Sequence, residues 1–310
     1  MLRPLWLVLS LLFAAFAAPA AVVGEDPFDQ EIDHVYLTQG GKDFYMDIFR
    51  PTGENRKEFY KPTDGGKGLG IIDIVSGGWN TSRARLDEHK GFQVFSILCA
   101  RGYTVFALRP GTKGEYIFPE MLDQINHGIR YIKAHAAEYG VDPDRLGLMG
   151  ASAGGHLTCM TALNPQPADP DSKDPLMHFD TTVAAAGAFF PPTDFLHWDT
   201  EVEGGIAGQI GELLFKDGIE GKTQEEIDAA AKKYSPLYYV TADAPPFFLL
   251  HGDADPVVPL SQSEALLKAL KDAGVQADLL VKEGGTHPWI TLPNEVIILA
   301  DWFDKTLAKK

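Results

Sequence analysis

Two cysteines in 310 residues are too few for a fold built on disulfides. No Cys-x-x-Cys pair exists and no two of the nine histidines stand four residues apart, so no metal centre and no cofactor are expected. Basic residues are scarce. The 27 Lys and Arg against 43 Asp and Glu leave a net charge of −16, which repels phosphate backbones and excludes nucleic acid as a partner. Internal repeats and low-complexity tracts are absent. The 31 glycines and 21 prolines follow no period, and 45% of the chain is apolar, enough to bury a core; collagen, coiled-coil and disordered classes are set aside.

Long apolar runs are also few. One, from Leu5 to Phe16, follows Arg3 and precedes Ala18-Pro19-Ala20, small residues at the spacing a signal peptidase reads. It falls short of the about 20 residues a membrane span needs. Residues 1–20 therefore read as a cleaved export signal, with an uncleaved anchor as the alternative, and the mature protein is expected to be secreted or periplasmic without stable membrane insertion. Cys99 and Cys159 lie in the apolar helical patterns QVFSILCA and HLTCMTAL, which points to free, buried thiols.

Beyond the signal, HVYLTQGGKDFYMDIFRP reads as a hairpin turning at Gly40-Gly41. GIIDIVSGG and YTVFALRP are near-continuous apolar runs of the kind found in strands buried on both faces, separated by a helical stretch reaching Ala100. Met121, Leu122, Ile125, Ile129, Ile132 and Ala136 form one stripe of a helix stopping near Gly140. Further strands are expected at Leu146–Met149, in VAAAGAFF, in PFFLLHG and in ADLLVK. SQSEALLKALKDAG reads as a helix with Ser261 and Glu264 at capping-box spacing and Gly274 as its stop. The alternation predicts an α/β fold: a mostly parallel central sheet with helices on both faces, one domain over 24–310. The polar, weakly periodic stretch at about 197–233 reads as a small helical cap, whose removal should alter substrate range more than stability.

Gly150-Ala151-Ser152-Ala153-Gly154 has the G-x-S-x-G form, with a buried strand before it and a helix after it. In that context the turn raises the Ser152 hydroxyl above the sheet edge, where it can act as a nucleophile. A base and an orienting carboxylate should follow in the order Ser, Asp or Glu, His. Of His156, His178, His197, His251 and His287, the last sits in a glycine loop after the final strand, on the edge where open α/β sheets place their sites, and is the candidate base. His156 is expected to pack or bond locally, and His251 to be structural. Asp253 and Asp255 share one loop; Asp255 is the candidate acid and Asp253 a shaper of the loop. Backbone N–H groups of Gly77, Gly78 and Ala153 are the candidate oxyanion hole.

The runs DIFRP, IVSGGW, AAEYGVDPDRLGLMGASAGGHL and SPLYYVTADAPPFFLLHGDADPVVPLSQSEALLKAL, followed by GGTHPW, resemble the α/β-hydrolase serine esterases. They are most similar to the bifunctional feruloyl and acetyl xylan esterase group, near the hormone-sensitive lipase-like carboxylesterases. The resemblance implies Ser152 as nucleophile, Asp255 as acid, His287 as base, and the Gly77, Gly78 and Ala153 N–H groups as oxyanion hole. It also implies a small or polysaccharide-linked ester as substrate, with a short acyl or aryl group such as acetyl or feruloyl. The family carries His-Gly-Gly-Gly-Trp where this chain has Val75-Ser76-Gly77-Gly78-Trp79, and many relatives carry Glu where it has Ala151. An exopeptidase of the prolyl oligopeptidase type and a non-catalytic binding protein on the same fold are the alternatives.

Overall fold

The computed structural model describes residues 26–52, 65–198 and 205–308; the expected export signal at 1–20 lies outside them. The chain opens with strands β1 (Phe28–Gln39) and β2 (Lys42–Pro51), an antiparallel hairpin closed by Gly40 and Gly41, both at positive φ. β3 (Gly70–Ile74) follows, then α1 (Arg83–Gly91), α2 (Val94–Ala100) and β4 (Thr104–Leu108). The expected single helix before β4 is two helices, because Gln93 adopts φ 60° and breaks the run. α3 (Phe118–Ala134) and the short α4 (Ala136–Tyr139) end at Gly140, which takes the left-handed conformation of a helix stop.

The second half runs β5 (Gly147–Ala151), α5 (Ala153–Leu163), β6 (Ala185–Phe189), α6 (Gly205–Leu214), α7 (Gln224–Lys233), β7 (Phe247–Gly252), α8 (Leu260–Asp272), β8 (Ala277–Lys282) and α9 (Leu292–Leu307). Ser261 makes no capping box. The helix starts one residue earlier behind Pro259, and the buried Ser261 hydroxyl has no partner among the described residues. A reciprocal box forms instead on α7, where Thr223 Oγ1 accepts from Glu226 N–H and Glu226 Oε2 accepts from Thr223 N–H at 2.8 Å.

The strands form one eight-stranded sheet in the order β1-β2-β4-β3-β5-β6-β7-β8, parallel from β4 through β8, as expected for an α/β-hydrolase fold. β3 shows how one sequence serves both faces. Ile72 and Ile74 pack on the side of α3 and α5, while Ile71 and Val75 pack on the side of α2 and α9. Met121, Ile125, Ile129 and Ile132 of α3 are fully buried, each contributing about 1.5–3 kcal/mol relative to exposure. Asp73, between Ile71 and Val75, is a fully buried carboxylate on the otherwise apolar α2 and α9 face.

The described part of the insertion at 197–233 is anchored to the body of the fold: Ile210, Leu213 and Leu214 of α6 and Ala231 of α7 are buried in the same core cluster as Phe118 and Phe195. Both cysteines are free and buried.

Candidate active site

Ser152 stands between β5 and α5 at φ 55°, ψ −120°, a backbone conformation that costs on the order of 1–3 kcal/mol and persists only where its surroundings impose it. They do so through hydrogen bonds: Ser152 N–H donates to Phe189 O at 2.9 Å, and Gly154 N–H donates to Ser76 O at 3.0 Å. Close approach fixes the flanking glycines. A Cβ on Gly150 would lie 2.5 Å from Gly154 O, and one on Gly154 would lie 2.3 Å from Ile74 O.

The C-terminal ends of the parallel strands gather the candidate partners. His287, in the loop after β8, places Nε2 2.8 Å from Ser152 Oγ and Nδ1 2.6 Å from Asp255 Oδ2, in the loop after β7. Asp255 Oδ1 accepts from the Val257 and Val258 N–H groups at 2.8 and 3.0 Å, and the side chain is fully buried. Burial alone would raise its carboxyl pKa. The nearby His251 and His287 and the Val258 N–H outweigh that and hold the carboxyl well below the usual carboxylate range. An ionised carboxylate only accepts, so Nδ1 carries the His287 proton and Nε2 is left to accept from the Ser152 hydroxyl. Phe190 packs on the imidazole at 4.4 Å between ring centroids.

Asp253 ties the two loops together, its Oδ1 accepting from Gly284 N–H at 2.6 Å. Of the remaining histidines that follow Ser152, His251 stands beside the relay, its Nε2 3.5 Å from Asp255 Oδ2, and bonds to Ser263 Oγ and Val258 O; His178 contacts Ser172 O, and His197 pairs with Asp194. His156 reaches further than expected. It bonds across the fold to Trp79 of the loop after β3, whose indole N–H donates to Nδ1 at 3.1 Å, and to Tyr234 O at 2.8 Å.

The loop after β3 corrects one element of the expected oxyanion set. Gly78 and Trp79 have φ 56° and 58°, the two central positive-φ positions of a type I′ turn, and Gly77 and Asn80 close it by exchanging N–H···O bonds of 3.0 Å. The Gly77 N–H is therefore committed inside its own turn. Among the described residues Gly78 N–H has no backbone acceptor, and Ala153 N–H opens α5, where no intrahelical acceptor exists. A Cβ on Gly77 would meet only the flexible side chain of Arg85, at 2.8 Å. Ser152, His287, Gly77 and Gly78 border a cavity of about 340 Å³ walled by Met149, Phe189 and Leu292; no described residue of the insertion lines it. Among the described residues no group of three or more His, Cys, Asp or Glu could hold a metal ion, and no helix is long and apolar enough to cross a membrane.

Sequence reasoning missed the pairing of His156 with Trp79, the packing of Phe190 on His287 and a second buried pair, His89 with Asp73 at 2.6 Å. Each joins elements distant in the chain, and the lone Asp within the apolar run of β3 was the single local signal.

Known proteins bear on this geometry. A probable carboxylic ester hydrolase of Mycobacterium tuberculosis, LipM, is 30% identical over 206 residues, covering 66% of this chain and 46% of its own length. The chain spans about half the length of the curated relatives it matches. Among solved structures, a truncated carbohydrate esterase from gut microbiota superposes with a TM-score of 0.71 at 23% identity, covering 92% of this chain and 99% of that one. An esterase of Thermogutta terrifontis with propionate bound does so with a TM-score of 0.63 at 23% identity, covering 88% and 92%. These likenesses show the α/β-hydrolase fold. The BD-FAE family model matches residues 58–270, which hold β3, the Ser152 turn and the Asp255 loop and stop short of His287; the chain belongs to the BD-FAE family.

Proposed function

We propose that the protein is a secreted serine carboxylesterase that hydrolyses short-acyl or aryl esters, acetyl and feruloyl groups on polysaccharide among them, through an acyl-enzyme. The observation that carries this reading is the relay from Ser152 Oγ through His287 to Asp255, with contacts of 2.8 and 2.6 Å. His287 Nε2 takes the hydroxyl proton as Ser152 Oγ attacks the ester carbonyl. The oxygen that becomes negative is held by the N–H groups of Gly78 and Ala153, at the start of α5 where the helix dipole also favours negative charge. His287 returns the proton to the departing alcohol. Water, deprotonated by the same nitrogen, then releases the acid and restores Ser152. Asp255 stays ionised and keeps the imidazole in the required tautomer. The relatives named as ester hydrolases support the class, and the apolar run at Leu5–Phe16 supports export.

The test is hydrolysis of p-nitrophenyl esters from acetate to octanoate by the mature protein, with Ser152→Ala beside it. Turnover that declines with chain length and disappears in the variant is expected. Turnover that persists in Ser152→Ala, or a folded protein inert towards every ester, would overturn the reading.

A further inference from the structure

Two buried polar side-chain atoms without a hydrogen-bond partner among the described residues, Asp73 Oδ1 and Ser76 Oγ, belong to residues that line the cavity beside Ser152. An unpaired buried carboxylate oxygen costs free energy unless water or a ligand supplies a donor. Asp73 is fully buried, and its other oxygen is engaged by His89 Nδ1 at 2.6 Å. The same cavity is lined by the apolar Met149, Phe189 and Leu292 and by the polar Arg85, Glu88 and His89. It therefore combines apolar and polar lining, with the Asp73 carboxylate as its buried floor.

Register sets the distance. Asp73 pairs with Met149 across β3 and β5, and Met149 precedes Ser152 by three residues. At about 3.3 Å per residue the floor lies roughly 10 Å along the strand from the nucleophile. Allowing about 2.7 Å for the hydrogen bond leaves roughly 7 Å between a reacting carbonyl and a donor that reaches Asp73. That is the span of an extended chain of about six atoms.

We propose that this cavity is a subsite for hydroxylated esters, in which Asp73 Oδ1 accepts a hydrogen bond from a hydroxyl at the far end of an otherwise apolar chain, with His89 positioning the carboxylate. A neutral donor suits the floor better than a cation. Burial opposes an added charge in this cavity, and the Asp73 carboxylate already faces His89, whose pKa it raises against the effect of burial. Arg85 and Glu88, also lining the cavity, are paired with each other at 2.8 Å. The inference rests on the esterase reading for the place of the carbonyl, and its test is separable from that reading.

Binding is measured by ligand-observed NMR titration of the Ser152→Ala protein, which needs no turnover. Methyl 6-hydroxyhexanoate is compared with methyl hexanoate, placing the hydroxyl on the acyl side; 6-hydroxyhexyl acetate is compared with hexyl acetate, placing it on the alcohol side. A hydrogen bond to a carboxylate should make at least one hydroxylated ester bind about 10-fold more tightly than its alkyl partner, and the pair that responds identifies the side. Ratios below about 3 in both pairs would overturn the proposal, with no further variant required. In the Ser152→Ala, Asp73→Asn double variant the favoured ratio should fall to below about 3; a ratio that survives would overturn Asp73 as the acceptor. An esterase that fails on every substrate while these ratios hold would remove the catalytic reading and leave the subsite standing.

Discussion

The indole N–H of Trp79 donates to Nδ1 of His156, 77 residues further along the chain, and so fastens the type I′ turn after β3 to the helix that follows Ser152. His156 is fully buried and donates its other nitrogen to Tyr234 O, so the ring is neutral with the proton on Nε2. Burial lowers its pKa from 6.5 to about 4. The unfolded chain binds this proton below about pH 6.5 and the folded chain does not until about pH 4. The contribution of this site is therefore fully present above about pH 6.5, and about 3 kcal/mol of stability is lost as pH falls to 4. His156→Phe keeps a planar aromatic ring and removes this linkage. Its stability, followed by urea unfolding, should be lower at pH 7 by about 1–3 kcal/mol through the two orphaned partners. The gap to the native protein should close towards pH 4; parallel curves would refute the assignment.

Asp255→Asn should be the most informative change in the relay. Oδ1 already accepts two backbone N–H groups, so the amide oxygen will be held there and the amide NH₂ will face His287. His287 then has to present an N–H to Ser152 and cannot take its proton. A fall in kcat of about 10⁴ is expected, with KM little changed. A loss below tenfold in steady-state kinetics would mean that Asp255 does not set the tautomer.

How far the site could be read from sequence follows from how local each signal is. Strand, turn and helix around Ser152 are contiguous, and the glycines at 150 and 154 are demanded by backbone contacts within that unit and with the adjacent β3, so G-x-S-x-G carried its own structural context. The loops holding Asp255 and His287 each follow a recognisable strand. Gly77 was misjudged because its N–H closes on Asn80, a fact of turn geometry that two adjacent glycines do not reveal. The helix at Leu260 begins behind Pro259, so the Ser261 and Glu264 spacing was a coincidence of sequence. Nothing near Asp73 indicates that one of its oxygens lacks a partner, because burial is a property of the assembled sheet.

Asp253 tests positioning as distinct from chemistry. Its carboxylate accepts from Gly284 N–H, three residues before His287, and touches no part of the relay. Asp253→Ala should loosen the loop and lower kcat by about 10- to 100-fold with KM nearly constant, the penalty for displacing a base by about 1 Å. Asp253→Asn retains an oxygen acceptor and should restore most of the rate. Equal losses in both variants would point to a role for the charge itself.

The insertion supplies a prediction that separates a lid from a structural element. Ile210 is fully buried among core residues that include Phe118 and Phe195, and α7 buries Ala231 in the same cluster. Ile210→Ala should then cost about 2–5 kcal/mol of folding stability by leaving a cavity. Its effect on the relative rates for short and long esters should be small, because no described residue of the segment lines the cavity beside Ser152. Thermal unfolding and the ester series on one preparation give both quantities. A stable variant with a changed chain-length profile would restore the reading of the segment as a cap over the site; an unstable one with an unchanged profile would establish it as part of the core.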